Sequence, residues 1–217
     1  MRRYDFIVFD WDGTLSDSAA LIVRSIQGAA RDNGLAVPSD EQSRHIIGLG
    51  LQDAMEYLFP DLPAERYRDI TDRYRVHYLG GEQEVVLFEG VMEGLAALRD
   101  QGHLLAVATG KSRVGLDRAL ASTGVGAFMH GSRCGDEGFS KPHPEMLEVL
   151  LDQHGVSPER ALMVGDTSHD VNMAHAAGVH VAAVSFGAHD VAKLESSRPT
   201  FLMHSPRDLW DWLTQAG

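Results

Sequence analysis

The sequence predicts an α/β fold, a doubly wound parallel sheet with a helical segment inserted after the first strand. Two observations carry this prediction. Short apolar runs alternate along most of the chain with segments of helical periodicity, the order expected when crossover helices join parallel strands. Between about residues 17 and 81, in contrast, the chain has only helical patterns and no apolar strand run.

The strands are predicted from short apolar runs that end at glycine or at polar residues, as buried parallel strands do. These runs cover residues 4–9, 103–108, 161–164, 179–184 and, more weakly, 200–203. Amphipathic patterns between them predict helices over residues 91–100, 112–122, 144–154, 167–177 and 206–214.

The inserted segment is predicted to hold three helices, over residues 18–31, 40–58 and 63–78, the second interrupted near Gly48 and Gly50. A stripe in the third helix is predicted to face a core; its members are Tyr67, Ile70, Tyr74 and Tyr78. Gly80 and Gly81 follow and are predicted to act as a hinge. We therefore expect a helical domain of residues 16–82 and an α/β domain of residues 1–15 and 83–217.

The composition excludes several classes of protein. Of the 217 residues, 44% are hydrophobic and 23% are charged, which is ordinary for a globular chain. The net charge of −12 argues against nucleic acid as a partner, and no apolar run approaches the ~20 residues of a membrane span. The single cysteine, Cys134, cannot form an internal disulfide, so we expect a cytoplasmic protein with Cys134 as a spectator.

Polar clusters follow the predicted strands at the edge where ligands bind in parallel sheets. Asp10 and Asp12 follow the first strand, and their spacing of two places both side chains on one face of an extended backbone. Two such carboxylates repel each other unless a cation or a shared proton lies between them. The pair therefore suits a metal and a nucleophile, although a plain Asp-Gly turn capped by Asp10 explains the same residues.

The other strand ends offer a second acidic pair and a phosphate cradle. Asp166 and Asp170 lie on one face of a helix start, where a divalent cation or ordinary helix capping accounts for them. Thr109 precedes Gly110 and Lys111, whose backbone N–H groups suit a phosphate. This is no nucleotide P-loop, because Leu105 stands where that motif needs glycine.

Lysine and histidine are two further residue types that could bind a ligand. Lys141, between turn-forming prolines at a helix start, suits an anion clamp, although a solvent-facing lysine is the commoner case. The 11 histidines include no i, i+4 pair in a clear helix with a third ligand nearby, so no zinc site is predicted.

Together these residues resemble the four ordered motifs of the haloacid dehalogenase (HAD) superfamily. The motifs are Asp10-Trp-Asp12-Gly-Thr14, Thr109, Lys141, and Gly165-Asp166 with Asp170. The segments FDWDGTLSDS, FSKPHPEML and VGDTSHDV resemble its phosphoglycolate phosphatase branch. The resemblance implies a Rossmann-like core with a helical cap inserted after the first strand.

The resemblance also implies a role for each matching position. Asp10 would be the nucleophile and Asp12 the general acid and base. Thr109, Gly110 and Lys111 would bind the phosphoryl group with Lys141. Mg²⁺ would be held by Asp10, by the backbone carbonyl of Asp12 and by Asp166. The residue that would orient Lys141 or a metal-bound water is Asp170. Gly110 departs from the family, since many relatives carry asparagine there.

The implied activity is Mg²⁺-dependent hydrolysis of a small phosphate monoester, phosphoglycolate-like, through an aspartyl-phosphate. A phosphomutase of the β-phosphoglucomutase type remains open, and so, in another class, does a phospho-aspartate signalling module. Asp12 and the helical insertion favour an enzyme over a signalling module, which needs neither. Cap contacts to the substrate are expected from Arg44, His45, Gly48 and Gly50, although the glycines alone would also explain a bend in a helix. The sequence leaves the exact substrate and the oligomeric state open.

Overall fold

A computed structural model of the protein describes residues 3–216. It contains one six-stranded sheet in the order β3-β2-β1-β4-β5-β6, with all neighbouring strands parallel. The strands are β1 (Phe6–Phe9), β2 (Leu104–Thr109), β3 (Gly131–Cys134), β4 (Ala161–Gly165), β5 (His180–Val184) and β6 (Phe201–Met203). The predicted doubly wound parallel sheet is confirmed.

The described part of the chain contains ten α-helices besides this sheet. They are α1 (Ala19–Asp32), α2 (Asp40–His45), α3 (Leu51–Leu58), α4 (Tyr67–Gly81), α5 (Val91–Asp100), α6 (Arg113–Thr123), α7 (Glu145–His154), α8 (Ser168–Ala176), α9 (Val191–Ser196) and α10 (Pro206–Ala216). None of these helices combines the length and the apolar character needed to cross a lipid bilayer.

Strand β1 is central and fully buried, so both of its faces are apolar. Ile7 and Phe9 pack in one core with residues of α5, α6 and α10. Phe6 and Val8 point the opposite way, into a second core with residues of α7 and α8. The two helical layers therefore cover opposite faces and leave the carboxyl edge of the sheet free for a site.

Strand β3 and helix α9 were not among the predicted elements. The residues of β3, Gly131 to Cys134, lie at the sheet edge, where three of the four are only partly buried. An edge strand needs no apolar run, so its sequence gives no strand pattern. Helix α9 has only six residues, with Asp190 as its N-cap, which is too short for a clear period.

Helices α1 to α4 form the inserted segment between β1 and β2 and bury a third apolar cluster of their own. The predicted stripe on α4 contributes buried Tyr67, Ile70 and Tyr78 to this segment. The two chain connections between the inserted segment and the sheet run side by side. They are held by hydrogen bonds from Asp17 N–H to the Val86 carbonyl at 2.9 Å and from Phe88 N–H to the Leu15 carbonyl at 3.0 Å.

The glycine pair predicted as a hinge lies inside helix α4. A β-carbon on Gly81 would lie 2.6 Å from Leu21 Cδ1, so this glycine allows α1 and α4 to pack closely. The predicted domain bounds stay a prediction, and residues 1, 2 and 217 at their outer ends lie outside the described residues.

Candidate active site

Three carboxylates and one lysine meet at the carboxyl edge of the sheet. Asp10 follows β1, Asp166 follows β4, and Asp170 lies in the first turn of α8. Lys141 comes from the loop before α7. Asp10, Asp166 and Asp170 are fully buried, Lys141 is almost so, and oxygens of the three carboxylates lie within 4.8 Å of one another.

The two oxygens of Asp10 differ in their surroundings. Oδ1 accepts the backbone N–H of Trp11 at 2.6 Å and lies 2.9 Å from the Lys141 ammonium. Oδ2 is buried and has no hydrogen-bond partner among the described residues. Burial raises the pKa of Asp10 to about 7, although Lys141 acts in the opposite direction. Oδ2 is therefore the oxygen of Asp10 that remains available to a cation or a phosphorus atom.

Lys141 lies between two carboxylates, at 2.9 Å from Asp10 and 2.6 Å from Asp170. Burial alone would lower the pKa of Lys141, but the two carboxylates hold it above its ordinary value. Asp170 also accepts from the backbone N–H and the hydroxyl of Thr167, at 3.0 and 2.6 Å. Asp170 thus caps α8 in a box with Thr167 and also pairs with the lysine.

Asp166 is tied to the loops around it. Its Oδ1 accepts from the Thr14 hydroxyl at 2.9 Å, and its Oδ2 accepts from the Ala188 N–H at 2.7 Å. Burial raises the pKa of Asp166, and the nearby charge of Asp10 raises it further. A β-carbon on Gly13, whose φ is +82°, would collide with Asp166 Oδ2, so glycine is needed there.

Three buried carboxylates facing one ammonium carry an excess of negative charge. Carboxylate and backbone carbonyl oxygens are the ligands that Mg²⁺ prefers, and it commonly uses only one or two protein carboxylates. The unpartnered Oδ2 of Asp10 gives such an ion an oxygen that no protein donor occupies. The residues present fit a hard divalent cation.

Asp12 lies beside Asp10 in sequence but has different partners. Its carboxylate accepts from the Ser18 hydroxyl at 2.6 Å and from the Lys111 ammonium at 3.0 and 3.2 Å. Lys111 also donates to the Tyr78 hydroxyl at 2.9 Å. Burial would lower the pKa of Lys111, but Asp12 holds it above its ordinary value. Lys111 therefore links the helical segment to Asp12, a contact that the sequence did not predict.

Thr109 and Gly110 occupy the predicted place at the end of β2. The Thr109 side chain is buried, and its oxygen accepts the Lys111 N–H at 3.2 Å. A β-carbon on Gly110 would lie 2.6 Å from the Gly48 carbonyl oxygen and would also collide with the Leu49 carbonyl oxygen. The absence of a side chain at Gly110 lets the loop between α2 and α3 reach the sheet edge.

The four residues of the helical segment that were expected to contact the substrate lie in different places. A β-carbon on Gly48 would lie 3.2 Å from Thr167 Oγ1 and 3.9 Å from Asp10 Oδ2, so this loop covers the carboxylates. The Gly50 N–H donates to the Ser140 hydroxyl at 2.6 Å. A cavity opens beside Asp12, and neither Arg44 nor His45 is among the described residues that line it.

His45 instead forms a cluster with His169 and His189, whose ring nitrogens lie within 4.8 Å of one another. The His45 carbonyl accepts from Nε2 of both other rings, at 2.7 and 3.1 Å. Because Nδ1 of His189 accepts the Ser168 N–H at 2.9 Å, the proton of this neutral ring is on Nε2. Burial lowers the pKa of His189 to about 4 and keeps the ring neutral.

This histidine cluster therefore joins the helical segment to the sheet edge through donated hydrogen bonds. Neither nitrogen of His189 offers a free lone pair to a metal in this arrangement. Sequence spacing did not reveal the cluster, since its members come from α2, α8 and the loop after β5. In the sequence, only His169 stands among predicted site residues, between Asp166 and Asp170.

Comparison with known proteins agrees with this geometry. The profile of the family described as haloacid dehalogenase-like hydrolase matches residues 7–184. The chain belongs to this family. It is 33% identical over 203 residues to the phosphoglycolate phosphatase of Aliivibrio fischeri, covering 89% of each chain. It is also 33% identical over 204 residues to the probable phosphatase IndB of Dickeya dadantii, covering 91% of this chain and 88% of that one.

A solved structure resembles it closely as well. The crystal structure of a predicted phosphoglycolate phosphatase from Haemophilus somnus superposes with a TM-score of 0.83 at 27% identity, over 97% of this chain and 98% of the other. The predicted family, its phosphoglycolate phosphatase-like branch and the enzyme class, a hydrolase of phosphoric monoesters, are confirmed. We call the inserted helices α1 to α4 the cap and the remainder the core.

Proposed function

We propose that this hydrolase is a Mg²⁺-dependent phosphatase that cleaves a small phosphate monoester through an aspartyl-phosphate. The observation that carries the proposal is the buried Oδ2 of Asp10, which lacks a protein partner beside two further carboxylates. Relatives named phosphoglycolate phosphatase make phosphoglycolate the first ester to test. We further propose that the cap comprises residues 16–82 and that the enzyme acts on a cytoplasmic metabolite.

Mg²⁺ would be held by the Asp10 carboxylate, the backbone carbonyl of Asp12 and the Asp166 carboxylate. When bound, it supplies positive charge against the phosphoryl oxygens and the nucleophile. Thr14 and the Ala188 N–H fix Asp166 for this role through the hydrogen bonds described above.

Asp10 attacks the phosphorus atom, and the bond from phosphorus to the leaving oxygen breaks. Asp12 acts as the general acid: it gives a proton to that oxygen and so releases an alcohol. Asp12 then takes a proton from water, which attacks the aspartyl-phosphate and frees inorganic phosphate and Asp10. Ser18 and Lys111 hold Asp12 in position for both transfers.

The phosphoryl oxygens are bound by Lys141, by the Thr109 hydroxyl and by the backbone at Gly110 and Lys111. Lys141 also offsets the charge of Asp10, and Asp170 orients it through their 2.6 Å contact. Lys141 and Thr109 are buried, so the lysine charge acts at close range with little screening by water.

The test is a release assay with phosphoglycolate, hexose phosphates and nucleotides, in Mg²⁺ or in EDTA. We expect free phosphate in Mg²⁺, none in EDTA, and recovery when Mg²⁺ is restored. Asp166→Asn should lose most activity, whereas Asp152→Asn, an exposed carboxylate on α7, should keep it. Full activity of metal-free protein contradicts the proposal.

The same assay separates the alternatives by their products. Isomerised sugar phosphate without free phosphate would identify a mutase. A stable phosphoprotein without turnover would identify a signalling module.

A further inference from the structure

A cavity of about 640 Å³ opens beside Asp12, between the cap and the loop after β2. Helices α1, α3 and α4 and the loop between α2 and α3 form its cap side, and Gly110 and Lys111 lie on its core side. Because Asp12 is the group placed to protonate the leaving oxygen, this cavity is where the rest of the leaving group lies. Its size is that of sites for drug-sized molecules, far larger than glycolate needs.

The cap side of the cavity is mostly apolar; its polar lining residues include Gln52, Thr71 and Arg75. Helix α1, the loop between α2 and α3, and helix α3 supply its wall with branched or flexible hydrocarbon side chains: Ile22, Ile26, Ile46, Ile47, Leu49 and Met55. Helix α4 adds Tyr74 and Tyr78, whose stacked rings have centroids 5.9 Å apart. Burial of an apolar ligand against such a wall is favourable. A charged ligand would lose its hydration there without gaining a polar partner from these hydrocarbon side chains.

The cations that line the cavity already have carboxylate partners. Lys111 contacts Asp12 at 3.0 Å. Arg75 contacts Asp72 at 2.6 Å, and Arg118 contacts Glu82 at 2.8 Å. Of these three pairs only Lys111–Asp12 is buried. A carboxylate on the leaving group would have to compete with Asp12 for Lys111 while lying against hydrocarbon, which is an unfavourable exchange.

We propose that the small phosphate monoester cleaved here carries an uncharged and largely apolar leaving group, an alcohol with an aromatic or branched hydrocarbon body. This inference rests on the proposed phosphatase function and names its substrate class. The phosphoryl group lies at Asp10, the ester oxygen at Asp12, and the hydrocarbon body between the isoleucines and Tyr74. The hydroxyl of Tyr78, which accepts from Lys111, keeps its own proton for a neutral oxygen of the ligand. Phosphoglycolate is then a poor substrate.

The test compares kcat/KM for phenethyl phosphate, ethyl phosphate and phosphoglycolate in Mg²⁺; the first two share a primary alkyl ester bond of similar reactivity. We expect kcat/KM for phenethyl phosphate to exceed that for ethyl phosphate about tenfold or more, and phosphoglycolate to rank below both. Tyr74→Ala should bring the phenethyl and ethyl values close together. Tyr57→Ala, a cap tyrosine that is 57% exposed and lies outside the cavity wall, should preserve the difference.

A binding measurement separates this inference from the phosphatase proposal. Calorimetric Kd values are measured for phenethylphosphonate, ethylphosphonate and phosphonoacetate, which are not hydrolysed. If no ester releases phosphate but phenethylphosphonate binds tightest, the phosphatase proposal fails and the apolar site stands. If phosphate is released and phosphoglycolate has the highest kcat/KM, or if the three phosphonates bind alike, the apolar site is wrong.

Discussion

At the scale of single residues, the site concentrates charge that the fold does not neutralise. Asp10, Asp166 and Asp170 are fully buried beside one ammonium, that of Lys141. A buried charge without a full set of partners costs stability, so this cluster is explained by chemistry rather than by packing. Asp10 is the extreme case, since it is the one of the three with an oxygen left without a donor.

Asp10→Asn should abolish turnover and leave the fold intact, because the amide keeps the shape of the side chain and loses its nucleophilic charge. We expect a loss of at least about a thousandfold in kcat with p-nitrophenyl phosphate, and an apparent Tm equal to or above that of the wild type. The matched variant Asp5→Asn, at the opposite end of β1, removes the ion pair with Arg160 and should retain turnover. Substantial activity in folded Asp10→Asn protein would end the nucleophile assignment.

That the proposed catalytic residues lie together was predictable, because each follows a strand or lies near a helix start, and strand ends meet at one edge of a parallel sheet. Lys111 was placed with the phosphate-binding residues, but its four-carbon stem carries the ammonium to Asp12 and Tyr78. Backbone position alone does not decide where so long a side chain ends. The histidine cluster could not be predicted for a related reason, since His45 of the cap meets His169 and His189 of the core only where cap and core dock.

At the scale of elements, the cap loop between α2 and α3 docks on two core loops. It approaches Gly110 and Gly135 so closely that a side chain on either residue would meet its backbone. The interruption near Gly48 and Gly50 was readable from the sequence, as was the all-helical cap. The docking of the loop between α2 and α3 could not be predicted from the sequence, because it depends on two glycines in separate core loops. The hinge at Gly80 and Gly81 was predicted from composition. In the structure both glycines continue helix α4. The cap is joined to the core by paired connections near Ser16 and Leu87.

Gly110→Ala should impair closure of the cap, since the added methyl group would collide with the carbonyl of Leu49, which is backbone and cannot rotate away. Displacing the loop by about an ångström is expected to lower kcat/KM by about 10- to 100-fold, with little change in Tm. Gly80→Ala is the matched control, because its β-carbon meets open space within helix α4. It should keep full activity and gain up to about 1 kcal/mol of stability. Equal kcat/KM for Gly110→Ala and wild type would show that the docked loop is dispensable.

At the scale of the whole molecule, the structure shows the cap docked over the core, with Asp10 fully buried. Several cap–core contacts hold this arrangement, among them the His45 carbonyl on His169 and His189, and the Gly50 N–H on Ser140. Asp10, the proposed nucleophile, has no exposed surface, so we expect the cap to separate from the core in each catalytic cycle. The docked state then excludes bulk water and strengthens the charges around the phosphoryl group.

A reversible cross-link between cap and core tests this cycle directly. A β-carbon on Gly50 would lie 3.2 Å from the Ser140 Oγ, within reach of a disulfide in a Gly50→Cys, Ser140→Cys double variant. The native Cys134 is buried and should not compete. We expect the oxidised double variant to lose turnover by at least about a hundredfold and to recover it in dithiothreitol, whereas oxidation should not affect either single variant. Because the oxidised and reduced forms share one sequence, the comparison isolates cap opening from any effect of the substitutions. If the cross-link forms completely, as shown by mass spectrometry, and turnover persists, then substrate reaches Asp10 without separation of the cap, by a path through the cavity beside Asp12.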